Sequence, residues 1–381
     1  MSKENYKRLG DYIREVDVRN RDLEVKELLG VSISKEFIPS IANIIGTDMS
    51  SYKVVEPLQF AYGPVTSRNG DKVSIALYTG KEKIIISQAY TVFEVKNQDE
   101  LLPEYLMMWF RRPEFDRYAR FKSHGSAREI FSWEEMCDVF LPIPPIEQQR
   151  KIVAEYEAVS RKIRLNEQMI TRLEETAQAL YHKMFVDGID KENLPEGWRM
   201  GELKEIANVT MGQSPDGESY NDIGNGEIFY QGKSDYGYRF PKIRIYTTQP
   251  TRMAKKGDIL LSVRAPVGDL NITLKDCCIG RGLAAIRSKT RCNSFLFYLL
   301  KNKQTEFNIS NDEGTVFGSI TKDNLLRLSI IIPQYTNIAI FNNISKTIDK
   351  QIEYIDKENN KLIEIKSLLL TKVGQYNKKY E

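Results

Sequence analysis

The sequence predicts a mixed α/β (α+β) protein built as an internal repeat: two globular domains, each followed by a long helix, with the helices forming an antiparallel coiled coil. Three observations predict it: self-similarity at a fixed offset, two unbroken heptad seams, and β-branched runs confined to the segments between the seams. Length agrees, since 381 residues exceed one ordinary core and fit two domains plus an extended element.

Setting Pro144 against Pro333 gives an offset of 333 − 144 = 189 that persists over a long window. Gly125 meets Gly314, Phe131 meets Ile320, Ser132 meets Thr321, Ile163 meets Ile352, Leu173 meets Leu362 and Lys183 meets Lys372. Fainter echoes need small shifts: EYLMMWF (104–110) resembles SFLFYLL (294–300), and LGDYI (9–13) resembles LKEIA (203–207). Chance supplies single pairs but not an ordered series, so the chain is two copies of one unit.

Beyond each proline junction the apolar residues alternate spacings of four and three. The first seam reads Ile152, Tyr156, Val159, Ile163, Asn166, Ile170, Leu173, Ala177, Leu180 and Met184. The second reads Phe341, Ser345, Ile348, Ile352, Ile355, Asn359, Leu362, Lys366, Leu369 and Val373. Such strict heptads mark a left-handed coiled coil. Helices of about forty residues extend roughly 60 Å at 1.5 Å per residue. Pro145 suits the first helical turn, where a missing N–H costs nothing, and Gly188 with EGW (196–198) closes the first helix. Antiparallel packing about a pseudo-twofold sets Asn166 against Asn359, Ile170 against Ile355 and Tyr156 against Leu369, one polar pair fixing the register. The expected division is a first domain at 1–143, a long helix at 144–187, a second domain at 188–332 and a second helix at 333–378.

Within the domains, KVSIALYTG, EKIIISQAYTVFEV, DILLSVRAPVG and CCIGRGLAAI carry β-branched runs bounded by Gly, Asn or Asp and read as strands. EYLMMWFRR, SFLFYLLKNK, SWEEMCDVF and TKDNLLRL read as short amphipathic helices, the last two N-capped by Ser132 and Thr321. Gln88 in SQAYTV and Arg281 in GRGLAA are expected in matched strand-like segments.

Lys and Arg exceed Asp and Glu by only 55 to 52, so any surface for a polyanion must be local. Arg111, Arg112, Arg117, Arg120, Lys122 and Arg128 face only Glu114 and Asp116, and a second basic stretch runs from Lys233 to Arg264. Aromatics interleave both. Basic patches in both halves fit DNA binding, because phosphate contacts supply much of the affinity. The loops KSHGSAREIF (122–131) and DEGTVFGSIT (312–321) occupy matched positions. Candidate DNA contacts in the first half are Gln88, Tyr90, Arg111, Arg112, Arg120, Lys122, Ser123, His124, Ser126 and Arg128. In the second half they are Gln213 and Ser214 beside Gly212, then Gln231, Lys233, Tyr236, Arg239, Arg264, Arg281, Thr315, Phe317, Ser319 and Lys322. Arg and Lys suit guanine O6 and N7, and Gln suits adenine N6 and N7.

No run of 18 uncharged apolar residues and no start resembling a signal peptide occur, so a cytoplasmic setting without membrane contact is expected. Cys137, Cys277, Cys278 and Cys292 read as reduced structural thiols. His124 and His182 are too few for a histidine-based metal or triad site. There is no GxxxxGK[ST] loop, no [DN]PP[YF] tetrad, and no GxSxG, HExxH or clustered-carboxylate signature. These absences point to recognition rather than catalysis, with no metal or cofactor held by this chain.

The junction LPIPPIEQQRKIV (141–153), the duplicated plan, and the second-domain opening LPEGWRMGELKEIANVTMGQSP (194–215) resemble the specificity subunits of type I restriction-modification systems. GDYIREVDVRN (10–20) and LLGVSISKEFIPS (28–40) are similar to the start of many first recognition domains. The resemblance covers essentially the whole chain. It implies two target-recognition domains that read a bipartite, asymmetric site in double-stranded DNA across a coiled-coil spacer. It also implies docking of two DNA adenine methyltransferase subunits and of motor-nuclease subunits, with S-adenosylmethionine, ATP and Mg²⁺ used by those partners. One departure is the second junction, IIIPQYTN (330–337), which lacks Pro-Pro and Glu-Gln-Gln. A stand-alone coiled-coil DNA-binding regulator or scaffold is the main alternative, and part of a fused methyltransferase or nuclease the second.

Overall fold

The computed structural model describes residues 6–40, 46–67, 69–70, 72–123, 129–307 and 319–374. The chain divides into two compact units, Met1–Asn166 with Glu358–Glu381, and Glu167–Lys357. Each unit combines a globular part with a stretch of both long helices.

In the first unit, short strands of β-branched and aromatic residues build an antiparallel sheet in the order Ile13–Val16, Thr91–Val95, Phe60–Tyr62, Ile75–Leu77. The second unit repeats that order with Ala207–Met211, Leu283–Ser288, Ile259–Ser262 and Leu270–Ile272. Phe60 pairs with Phe93 and Ile259 with Ile286, so the local offsets are 259 − 60 = 199 and 286 − 93 = 193. Loops differing by a few residues therefore explain why the domain interiors echo each other faintly.

Each unit also closes its chain with an entry strand paired to the strand before the long helix: Tyr6–Arg8 on Phe140–Pro142, and Arg199–Glu202 on Ser329–Ile332. Leu9 N–H donates to Val139 O at 2.8 Å and Leu203 N–H to Leu328 O at 3.0 Å, the same bond in both copies.

A second sheet is better developed in the second unit, where five strands are ordered Tyr220–Asn221, Ile245–Thr247, Glu227–Tyr230, Cys277–Ile279, Met253–Ala254. Its first-unit counterpart is reduced to Lys53–Val55 on Ile84–Ile86, with Leu28 bridging Ile85 in parallel.

The long helices span Ile146–Phe185 and Tyr335–Val373. Pro145 lies one residue before the first helix, not within its first turn: its carbonyl accepts from Gln148 and Gln149 at 2.9 and 3.2 Å. The Gln334 carbonyl does the same for Asn337 and Ile338 at 3.0 and 3.2 Å, so the second junction keeps the backbone geometry without Pro-Pro. Every residue of the two seams is buried or half-buried. In the first unit Val153, Tyr156, Leu369 and Val373 join the main core, and in the second Ile170 packs with Ile352 and Ile355. Partner numbers fall as residue numbers rise, which makes the pairing antiparallel.

Ser132 Oγ accepts from Glu135 N–H and Thr321 Oγ1 from Asn324 N–H, capping Trp133–Cys137 and Lys322–Leu326. The helices Pro103–Phe110 and Asn293–Asn302 depart from expectation, because Tyr105 to Phe110 and Phe295 to Leu300 are buried without a break. Tyr105 to Phe110 share one cluster with Phe60 and Phe93 of the sheet and with Val153 and Tyr156 of the long helix. A helix covered on both sides has no solvent face, so amphipathicity is lost.

Gln149 is 0% exposed, and its amide staples the first junction. Nε2 donates to Pro144 O and Glu100 O, both at 2.8 Å, and Oε1 accepts from Leu102 N–H at 2.9 Å, at the start of the buried helix. Under the 189 offset its place falls on Ile338 (149 + 189). One turn further along, Asn342 Oδ1 accepts from Phe295 N–H at 3.4 Å. The Glu-Gln-Gln motif is thus partly an internal fastening.

Candidate nucleic-acid interface

In the second unit three loops meet with almost no room between their backbones. A Cβ on Gly212 would lie 2.2 Å from Gly280 O, and one on Gly282 would lie 2.9 Å from Gln231 O. Only glycine permits this approach. Gly212 N–H donates to Leu283 O and Gln213 N–H to Ile279 O, both at 2.9 Å, while Gly280 N–H donates to Tyr230 O at 2.8 Å. The exposed side chains of Gln213, Gln231 and Arg281 leave these loops, and Arg281 N–H reaches Ser214 Oγ at 3.4 Å. The edge continues where Val263 N–H donates to Gly282 O and Ile320 N–H to Val263 O, each at 2.9 Å, which pairs exposed Arg264 with Ser319. Lys322 follows on an exposed helical turn. Two guanidiniums, two carboxamides and two hydroxyls are therefore presented on a rigid edge, the mixture that base edges and phosphates require.

The first unit carries the same scaffold. Phe131 N–H donates to Pro64 O at 2.8 Å and Val65 bridges Ile130, as Ile320 does with Val263 and Arg264 with Ser319. Gln88 and Arg281 are matched by the sheet offset, 88 + 193 = 281, but both lie in turns rather than strands. Gln88 sits between Ile84–Ile86 and Thr91–Val95, and Arg281 between Cys277–Ile279 and Leu283–Ser288. Turns expose side chains that a sheet interior would bury. Tyr90 packs against the same corner, its ring 3.5 Å from where a Gly63 Cβ would stand.

The helix Pro113–Ser123 places Arg120 on a concavity of about 790 Å³, together with Arg111 and with Lys35, Lys72 and Arg117. Asp116 is the one acid lining it among the described residues, and it is bound to Lys35 at 2.8 Å. Lys35 and Lys72 lie far upstream in sequence, outside the patch that local counting finds.

Several candidates do not reach a surface. Ser123 is buried, its Oγ donating to Arg120 O at 2.9 Å and accepting from Thr66 Oγ1 at 3.1 Å. Arg112 is mostly covered, its guanidinium 4.5 Å from the Trp109 ring centroid. The Tyr236 hydroxyl is buried, and burial raises it well above the usual tyrosine range. Arg239 is sequestered among carboxylates and rings. Aromatic and basic residues look alike in sequence whether they stack inside or outside, so local composition could not separate them. Lys122 pairs with Glu135 at 3.1 Å and Lys233 with Asp269 at 2.5 Å, which partly offsets their charge. His124, Ser126, Arg128, Thr315 and Phe317 lie outside the described residues.

The four cysteines are free. Among the described residues no group of three or more His, Cys, Asp or Glu is placed to hold a metal, and no helix is long and apolar enough to cross a membrane.

The same sheet order and matched turns recur in both units, each with a stretch of both long heptad helices, which defines a protein built by duplication of one unit. The family described as "Type I restriction modification DNA specificity domain" matches residues 50–175 and 195–367. The putative type I restriction enzyme MjaX specificity subunit of Methanocaldococcus jannaschii is 30% identical over 315 residues, 78% of this chain and 74% of that one. The MjaVIII specificity subunit of the same organism is 22% identical over 334 residues, 77% of this chain and 75% of that one. A type I restriction-modification S subunit from M. genitalium shares the fold, with a TM-score of 0.60 at 14% identity over 97% of this chain and 95% of that one. The chain belongs to the type I restriction-modification specificity-subunit family: it is the DNA-recognition component of such a complex, not its catalyst.

Proposed function

We propose that the two units read the two halves of a bipartite, asymmetric DNA site, one through the corner at Gln88 and Tyr90, the other through the edge at Gln213, Ser214, Gln231, Arg264, Arg281 and Ser319. The observation carrying this reading is the matched turn: one scaffold presents a carboxamide in the first copy and a guanidinium in the second. Gln suits adenine and Arg suits guanine, so equal scaffolds with different tips read different bases. Arg111, Arg120, Lys122, Lys233 and Lys322 supply phosphate contacts, which position the protein without specifying sequence.

The working division is two recognition domains, 1–143 and 188–332, with spacer helices at 144–187 and 333–378. Two DNA adenine methyltransferase subunits dock on the spacer and junctions, and motor-nuclease subunits complete the restriction complex. S-adenosylmethionine, ATP and Mg²⁺ belong to those partners, which extrude the target base, and the complex works in the cytoplasm. Linking two modest half-site interactions through a stiff spacer raises affinity only when the half-sites are correctly separated.

Co-purification with its methyltransferase, followed by methylome sequencing of a host carrying both, tests this reading. A two-to-one complex and a methylated motif split by unspecified bases are expected. A chain that binds one continuous site tightly alone at physiological salt would contradict it.

A further inference from the structure

In the second unit one buried guanidinium fastens the globular part to both long helices. Arg239 is 2% exposed. Its Nη1 donates to Glu174 of the first long helix at 2.9 Å and its Nη2 to Asp349 of the second at 2.6 Å. Cζ stands 3.5 Å from the Phe297 ring centroid, the Tyr298 hydroxyl donates to Asp349 at 3.2 Å, and Lys301 adds a second cation to Glu174 at 2.5 Å. The next residue, Phe240, packs with Ile170, Ile352 and Ile355. Arg239 O accepts from Ile272 N–H at 3.0 Å, so the same residue is also tied to the sheet.

A planar fork that engages one carboxylate on each helix tolerates little rotation, because losing either bond leaves a charge buried without a partner. The first unit has no such clamp among its described residues. Under the 189 offset Ser160 stands in the place of Asp349 (349 − 189) and Ile363 in that of Glu174 (174 + 189). Under the 190 offset that sets SFLFYLL on EYLMMWF, Met107 and Arg111 stand in the places of Phe297 and Lys301. There Ser160, Met107 and Arg111 line a groove of about 830 Å³ instead of a filled junction.

We infer that Arg239 is a positioning residue for site selection: by bridging both helices it fixes the angle at which the second recognition domain stands on the coil, and so restricts the spacing tolerated between half-sites. This rests on the function proposed above.

The test uses the full chain in complex with its methyltransferase and duplexes carrying the natural spacer or one a single base pair longer or shorter. Methyl-transfer rates give the discrimination between spacers. Arg239→Met is expected to lower that discrimination about tenfold, equivalent to some 1.4 kcal/mol, while the bases read in each half-site stay the same. Arg239→Lys, which keeps the charge but not the fork, falls between. A folded Arg239→Met complex with wild-type discrimination overturns the inference. If that variant does not fold, Glu174→Gln decides, since it keeps the Asp349 bond: weakened discrimination supports the clamp and unchanged discrimination overturns it. A wild-type complex that methylates no bipartite site refutes the underlying function instead, which separates the two failures.

Discussion

Asn166 Nδ2 donates to Asn359 Oδ1 at 2.8 Å, and both side chains are withdrawn from water, at 3% and 8% exposure. The same nitrogen reaches Glu358 at 2.7 Å, so both amide hydrogens are used. A slip by one heptad would set Asn166 against Ile352 or Lys366, and Asn359 against Val159 or Leu173. That mismatch penalises wrong registers more than the pair stabilises the right one.

Asn166→Leu alone is therefore expected to destabilise the first unit by about 1–3 kcal/mol, since it strands a buried amide. The double variant Asn166→Leu with Asn359→Leu is expected to recover most of that loss. A thermal double-mutant cycle measures the coupling, and additive losses would contradict it.

Gln149→Leu removes three hydrogen bonds and leaves the Leu102 N–H and two carbonyls without partners. A loss of about 2–4 kcal/mol is expected from several buried unpaired groups. Asn342→Leu, which removes a single 3.4 Å bond to Phe295, should cost less. Urea unfolding of the two variants ranks them, and equal losses would count against the staple.

Glu174 gives a pH prediction. Burial alone would raise its carboxyl, but Arg239 and Lys301 outweigh burial and hold it below the usual carboxylate range. A depressed folded pKa contributes stability that is present above about pH 4.3 and lost as pH falls through the folded value. Unfolding free energy should therefore fall more steeply below about pH 4 in the wild type than in Glu174→Gln. Parallel acid profiles would show that the clamp does not carry this charge coupling.

Arg120→Ala and Lys322→Ala are expected to weaken binding alike on all sequences, each reducing the salt slope of log K by about one. Titrations of the assembled complex at several salt concentrations measure this. A change confined to one base position would mark base readers instead.

The features legible in sequence were those with a period or an offset. Heptad spacing located both seams, the 189 offset paired the junctions, and Ser132 and Thr321 announced their caps. What sequence hid depends on distant partners. Arg239 sits in YGYRFPKIR, which reads as an exposed basic stretch. Its burial depends on Glu174, 65 residues before it, and Asp349, 110 after it. Ser123 looked like a loop hydroxyl until Thr66 covered it. EYLMMWFRR looked amphipathic because no local signal tells that a second layer will cover its other face. The convergence of Gly212, Gly280 and Gly282 was equally invisible, although each glycine stood in a segment already singled out.

The central claim is that the two units read separate half-sites through matched turns. Methylome sequencing of hosts carrying Gln88→Ala or Arg281→Ala in an otherwise intact complex tests it most directly. The account predicts that each substitution relaxes a base position in one component of the split motif, a different component for each, by about 1–3 kcal/mol of discrimination. Both substitutions altering the same component, or neither altering the motif while methylation persists, would contradict it.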